Sequence, residues 1–258
     1  MGFSSEWLAL REPADHAARD ASLLQRVADF VGPQATVLDL GSGTGSTVRA
    51  FQGVDIGQWR WRFVDSDPVL LAEATSRHTR AEAHMMNLQD LEDLPLNGVS
   101  LVTASALLDL MPDRWIAALA QRLAAAQIPF YAALNYNGDM RWSPGLTQDK
   151  AIRDAFNRHQ NTDKGIGAAT GAASAQVTQS RFEEHGFQVH LAESPWVLDP
   201  KEQALQRDLL GGIAQAADEM GAAAASHWFE ERQASLATGQ TVIGHTDVLA
   251  LPCVQSLN

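Results

Sequence analysis

Residues 37–46 read VLDLGSGTGS: four residues able to fill a buried strand run into three glycines spaced one apart, Gly41, Gly43 and Gly45. Few sequences constrain a fold more. In a strand–loop–helix unit the first turn lets the backbone approach a ligand closely, and the helix N-terminus behind it faces the same point. The structural alternative is a plain glycine-rich turn.

The rest of the chain alternates in the same sense. Strand patterns fall at 36–40, 60–65, 81–86, 99–104, 127–136 and 187–192, with TVIGHTDVLAL as a last strand. Helical patterns fall between them at 45–52, 68–79, 112–126 and 172–185, and Pro68 and Pro112 suit helix starts. An earlier helix is expected to begin near Pro13 and to carry Leu23, Leu24, Val27, Phe30 and Val31 on one face. Alternation of this kind implies an α/β domain, doubly wound around a mainly parallel sheet. Segments such as VSLVTA are apolar on both sides of the pleat, as strands covered on both faces should be.

Two stretches interrupt the pattern. Residues 137–172 are polar and glycine-rich with one helix, TQDKAIRDAFNRHQ, and residues 200–237 read as two helices separated near Gly221. No linker divides the chain, so 1–258 is expected to be a single domain with both stretches as insertions forming a substrate cap.

Charge and composition narrow the partners. The formal net charge of -12 opposes phosphate backbones and anionic lipid surfaces, so neither nucleic acid nor membrane is expected. Cys253 is the lone cysteine, and no stretch reaches the ~18 consecutive apolar residues of a membrane span. With no signal sequence visible at the N-terminus, a cytoplasmic protein acting on a small molecule is the expectation.

Three acids sharpen the ligand. A dinucleotide fingerprint G-x-G-x-x-G wants glycine at 46, where Ser46 stands. Asp39 lies two residues before the first glycine, where a pyrophosphate gains nothing from a carboxylate but a cationic amino-acid tail does. Asp65 ends the next strand, 20 residues after Gly45, where it can accept two ribose hydroxyls. Asp90, after the third strand, suits an adenine amine or is a solvated loop acid.

Together these residues resemble the class I S-adenosylmethionine-dependent methyltransferases. VLDLGSGTG is similar to their first motif, VDSDP to their ribose-binding acid, and DLEDLPL followed by VSLVTASALLDLM to the stretch from the adenine contact through strand four. The resemblance spans about residues 36 to 136. It implies a Rossmann-like, seven-stranded sheet whose last strand runs antiparallel. It also implies S-adenosyl-L-methionine as cofactor, with Gly41, Ser42 and Gly43 beside its methionine part, Asp65 and Ser66 at the ribose, Asp90 and Leu91 at the adenine, and Ser105 in the loop beside the methionine. Two rivals stand: an NAD(P)-dependent oxidoreductase, against which Ser46 and Asp39 speak, and a non-catalytic module that binds the same cofactor.

Methyl transfer needs alignment, water exclusion and, for a protonated acceptor, a base. Asp109, after strand four, Tyr136, after strand five, and His159, on the apolar face of the insertion helix, are the candidates for catalysis. Asp109 reads equally as a turn acid and His159 as a packing residue. Asn137-Gly138 is a hairpin signal, which would bring Asn135, Arg141 and Trp142 to the mouth as substrate contacts, with Tyr136 or Trp142 facing the sulfonium. Arg11 or Arg19 is placed to pair the cofactor's carboxylate if the N-terminal segment folds over it, or else to lie on a solvated helix face.

Overall fold

The structure, a computed structural model, describes residues 3–253. Five parallel strands form the centre: β1 (Thr36–Leu40), β2 (Arg60–Asp65), β3 (Glu82–Met85), β4 (Leu101–Ser105) and β5 (Phe130–Ser143). They run in the order β3-β2-β1-β4-β5, continued by β8 (Gln240–Pro252) and β6 (Phe187–Glu193). β8 is antiparallel to both neighbours, as expected of the inserted last strand. An eighth, three-residue strand, β7 (Trp196–Leu198), also pairs with β8, so the sheet has eight strands where the sequence suggested seven.

Helices cover both faces. On one side α4 (Pro68–Arg77), α3 (Ser46–Ala50) and α2 (Ala21–Val31) bury Leu71, Phe51, Leu24 and Val27 against Phe63, Trp61 and Tyr131. On the other, α5 (Asp113–Ala126) and α7 (Ser174–Glu184) bury Ile116, Leu119 and Phe182 against Val102 and Phe130. Asp67 caps α4 by accepting from Val69 N at 2.8 Å, with Pro68 at the first turn where its missing N–H costs nothing.

The N-terminal region differs from the sequence reading. Pro13 does not start a helix; it lies inside α1 (Ser5–Ala18), which Ser4 caps, and Asp20 starts α2 by accepting from Leu23 N at 2.8 Å. The chain breaks at Arg19–Asp20 because Asp20 satisfies the new helix's free donors. Phe30, expected on the packed face of α2, is 42% exposed.

The hairpin expected at Asn137-Gly138 is absent. β5 runs on through Ser143, and the extra residues become bulges against β8, between Ala132 and Asn135 and between Tyr136 and Met140. β8 supplies what each bulge needs. At the first, Asp247 accepts from Leu134 N at 2.8 Å and Tyr131 Oη at 3.1 Å, which holds Leu134 at φ 58°. At the second, Gly244 leaves room for Asn137: a Cβ there would lie 2.2 Å from Asn137 Oδ1 and 2.9 Å from Asp139 Cβ. Gly244→Ala is therefore expected to destabilise the fold by about 2 kcal/mol through overpacking. A urea midpoint unchanged by the substitution would show that the bulge does not need this glycine.

A third cluster sits on the C-terminal end of the sheet. α6 (Asp149–Gln160), α8 (Gln203–Glu219) and α9 (Ala225–Ser235) pack Ile152, Ile213 and Trp228 over Trp142 and Met140 of β5. The buried Arg232 ties α9 to α6 through both oxygens of Asp149, which also accepts from Trp228 Nε1 at 2.7 Å.

Candidate active site

The turn after β1 holds its glycines in left-handed conformations, Gly41 at φ 63° and Gly43 at φ 52°. Such angles favour glycine because a Cβ would crowd the backbone. The loop is fastened at the base by Ser42 N to Val64 O, 3.0 Å, and at the side by Gly43 N to Asp65 Oδ2, 2.9 Å. Asp65 Oδ1 accepts from Asp67 N at 3.0 Å. Each carboxylate oxygen thus keeps a lone pair free for a hydroxyl donor.

Helix α1 closes over this loop. Leu8 faces Gly43, where a Cβ would stand 3.1 Å from its Cδ1. Glu12 pairs with Arg49 of α3, and His16 Nε2 lies 3.2 Å from Ser46 O. Arg11 grips Asp15 through two bonds of 2.8 and 3.0 Å and stacks 4.8 Å over Trp196, whose Nε1 donates to the same acid. Arg19, at the end of the helix, is buried and donates to Ser105 Oγ at 2.8 Å. Neither arginine lies on a solvated face, contrary to that reading of the sequence.

A cavity of about 700 Å³ runs from the glycine loop to the cap. Gly41, Ser42, Gly43, Asp65, Ser66 and Ser105 line it together with His159, Gln160 and Lys164, and Arg11 and Asp15 are also on the wall; Gln89 Nε2, on the same wall, donates to Gly165 O at 3.0 Å. The volume suits a nucleoside-sized ligand with space for a small second one. Among the described residues no group of three His, Cys, Asp or Glu is placed to hold a metal ion, and no helix is long and apolar enough to cross a membrane.

Beside the loop, four buried polar atoms of both signs have no partner: Asp39 Oδ2, Ser42 Oγ, and Nε and Nη1 of Arg19. Buried charges left this way are costly, and an occupant normally satisfies them. Asp39 is 1% exposed, and burial pushes its carboxyl up to about 6 although Thr103 Oγ1 donates to it at 2.7 Å. A zwitterionic amino-acid end fits this set, its ammonium toward Asp39 and its carboxylate toward Arg19.

The comparisons with known proteins bear on the same segment. Residues 37–127 match the family of methyltransferase domains. Over these residues the chain carries a methyltransferase domain. No curated protein sequence matches the chain. Its fold is similar to that of the cyclopropane-fatty-acyl-phospholipid synthase-like protein from Lactobacillus casei, with a TM-score of 0.55 at 15% identity, over 97% of this chain and 95% of that one. It is also similar to the cyclopropane synthase MmaA2 from Mycobacterium tuberculosis, with a TM-score of 0.51 at 13% identity, over 96% and 94%.

Several expected site residues lie elsewhere. Leu91 is packed in the core and Asp90 is exposed in a neighbouring depression, while Asn87, Leu88 and Gln89 form the cavity wall in their place. The 3₁₀ turn at 91–93 causes this by swinging Leu91 inward under α5. Asn135 is fully buried, spending its amide on Ala132 O and Thr246 O to hold the bulge. Arg141 is exposed and paired with Asp139 at 2.9 Å. Trp142 packs edge-on to Trp228 at 5.2 Å, with Arg232 over its ring. The continued strand, replacing the hairpin, carries all three away from the mouth, and Trp142 away from any sulfonium.

Of the catalytic candidates, Tyr136 is tied up: its hydroxyl donates to Asn157 Oδ1 at 2.6 Å, its ring packs on Phe156, and burial pushes its pKa up. His159 lines the cavity. Lys164 Nζ, which can only donate, lies 3.4 Å from its Nδ1, so the Nε2–H is left to donate to Glu219 at 3.1 Å. Asp109 lies behind the cavity wall, which Leu107 and Leu110 form without it; its Oδ1 is enclosed without a partner, and burial pushes its carboxyl up to about 6 against the pull of its own backbone N–H, Arg11 and Lys164.

Asp15 and Lys164 line the cavity as well, though neither is among the site residues expected from the sequence. A signal existed for α1: Leu8, Arg11, Asp15 and Arg19 fall at i, i+3, i+7 and i+11, one face of one helix.

Asp65→Ala is expected to weaken S-adenosylmethionine binding at least tenfold, about 1.4 kcal/mol. It removes the anchor of Gly43 N and, with it, the acid expected to accept the ribose hydroxyls. Equal calorimetric affinities for variant and parent would take Asp65 out of the site.

Proposed function

We infer that the domain transfers a methyl group to a small-molecule acceptor inside a closed chamber. The observation that carries this reading is the continuity of one cavity from the glycine loop to His159 and Lys164. In it, Asp65 would hold the ribose, Arg19 and Asp39 the amino-acid end, and Asn87 to Gln89 the adenine. When bound, S-adenosylmethionine supplies a sulfonium-activated methyl group, and the protein's part is placement and water exclusion.

The roof is α1 on one side and residues 159–166 on the other. Helices α8 and α9 buttress it: Glu219 of α8 holds His159, and Arg232 of α9 holds Asp149 at the start of α6. The insertions therefore act as one cap on a single domain over 1–258, with 200–237 supporting what 144–172 covers. Asp109 is the group that accepts a proton from the acceptor. A narrow, roofed chamber and a net charge of -12 favour a small molecule over nucleic acid, and the lone exposed cysteine suits a cytoplasmic setting.

The test is mass spectrometry of a cell extract after incubation with the protein and methyl-labelled S-adenosylmethionine. Label is expected in a small molecule. Label confined to protein or RNA would overturn the acceptor class, and none at all, with cofactor still bound, would mean a non-catalytic binding module. The cap makes a separate prediction: amide exchange over 144–172 slows by about tenfold when cofactor product and acceptor are both present. Exchange indifferent to both ligands would reduce the segment to a surface feature.

A further inference from the structure

The third glycine of the loop, Gly45, has a neighbour that a cofactor does not explain. A Cβ at Gly45 would stand 3.0 Å from His78 Cδ2 and 3.2 Å from Phe63 Cζ, so the imidazole fills the space a side chain would take. His78 lies just past the end of α4, and its ring meets Phe63 edge-on at 5.9 Å. In that slot its Nε2 is 2.9 Å from Nη1 of Arg49. A guanidinium can only donate, so Nε2 accepts, and the bond exists only while the imidazole is neutral with its proton on Nδ1.

Arg49 in turn joins two walls of the cavity. Its Nη1 also donates to Thr44 O of the glycine loop at 3.0 Å, and its Nε and Nη2 engage both oxygens of Glu12 on α1, Nη2 at 2.7 Å. Apolar contacts do little of this fastening. Trp7, Leu10 and Ala14 of α1 pack toward the cap cluster, and the one residue buried along the helix is an acid, Asp15. On the loop side α1 rests on Leu8 against Gly43, on His16 near Ser46 O, and on the Glu12–Arg49 clasp.

A proton on His78 reverses the contact. The acceptor becomes a donor, and two cations are left 2.9 Å apart. Nothing around the ring offsets this. Glu12, the acid that faces it from α1, is already engaged by Arg49, with His16 a further 3.7 Å from that acid, and Arg77 beside it on α4 is a second cation, paired with Glu73. Burial first and then Arg49 push the His78 pKa down, with Arg77 adding to them against the Gly45 backbone and Glu12.

We propose that Arg49 is a positioning residue for the cofactor, clasping α1 to the glycine loop, and that neutral His78 holds it there, so that the cofactor binds less tightly once His78 takes a proton. This rests on the reading that S-adenosylmethionine lies beneath α1, and deepens it. With the clasp closed the neutral imidazole is favoured; with α1 lifted the ring returns toward its ordinary value of 6.5. Closing on the ligand therefore releases a proton wherever the open form carries one. Affinity is fully present above that ordinary value and declines as pH falls from it toward the lowered value of the closed form. Asp39, with its carboxyl at about 6, imposes a loss of its own in the same range. The contribution of His78 is thus the difference between the parent and a variant whose residue 78 cannot titrate.

The experiment is a calorimetric titration of the full chain with S-adenosylhomocysteine at several values between about pH 7.5 and about pH 5.5. Beside the parent stand His78→Gln, whose amide oxygen can accept from Arg49 and takes no proton, and His78→Lys, a permanent cation. Across the range the parent should lose about fivefold more affinity than His78→Gln. His78→Lys should bind at least about fivefold more weakly than the parent at the upper end, where the parent's ring is neutral. Arg49→Gln should lose the His78 part of the slope, because the proton then meets no cation. Parallel curves for the parent and His78→Gln would overturn the proposal, as would His78→Lys binding as tightly as the parent. If His78→Lys does not fold, the comparison with His78→Gln decides alone. A parent that binds no S-adenosylhomocysteine at any pH would instead remove the cofactor reading itself, and the proposal with it.

Discussion

Gly43→Val should abolish S-adenosylmethionine binding, raising Kd at least a hundredfold, about 2.7 kcal/mol, while the protein stays folded. Three effects coincide at this residue. Its φ of 52° is left-handed, a conformation in which a β-branched side chain is an outlier costing on the order of 1–3 kcal/mol. Its Cβ would stand 3.1 Å from Leu8 Cδ1, and the two further methyl groups of valine would press into the α1 roof. Relaxing either strain shifts the backbone N–H that donates to Asp65 Oδ2, so the ribose acid loses its fixed position as well. The loop lies at the end of the sheet and outside the hydrophobic clusters, which is why the far-ultraviolet circular dichroism should be unchanged. Calorimetric affinity within threefold of the parent would sink the loop assignment.

Asp109→Asn is the second large effect. An amide keeps the shape and removes the proton acceptor, so kcat for the acceptor should fall by about 10²–10³, the usual worth of a positioned general base. Cofactor affinity should not change, because Asp109 makes no hydrogen bond to the glycine loop, Asp65, Asp39 or Arg19. The sign of the pH dependence follows from the site. Burial raises the carboxyl to about 6, and Arg11, Lys164 and its own backbone N–H pull the other way. Below that value Asp109 is protonated and cannot take another proton. The parent's kcat/KM should therefore rise with pH through about 6 and level above it, and the variant should lose that limb. A limb that persists in Asp109→Asn would make this acid a structural one.

Much of the cofactor half was legible because it depends on neighbours in sequence. Gly41 and Gly43 announce a left-handed turn, Ser46 speaks against a dinucleotide loop, and Asp65 stands at a strand end that any parallel sheet brings beside that turn. The acceptor half depends on contacts between distant residues. Asn137-Gly138 reads as a hairpin until β8 is laid beside it; Gly244 and Asp247, more than a hundred residues away, turn the same residues into bulges and send Asn135, Arg141 and Trp142 into structural work. The cavity wall runs through residues 87–89 rather than Asp90 and Leu91 because apolar burial of Leu91 outweighed the local pattern.

We propose that the cavity beneath α1 takes S-adenosylmethionine, with the nucleoside at Asp65 and the zwitterionic tail at Asp39 and Arg19. The most direct measurement is a calorimetric titration of the full chain with S-adenosylmethionine and, separately, with NADH. One-to-one binding of S-adenosylmethionine at about micromolar Kd, some -8 kcal/mol, with no heat from NADH, is the predicted result. One-to-one binding of NADH and silence toward S-adenosylmethionine would contradict the account.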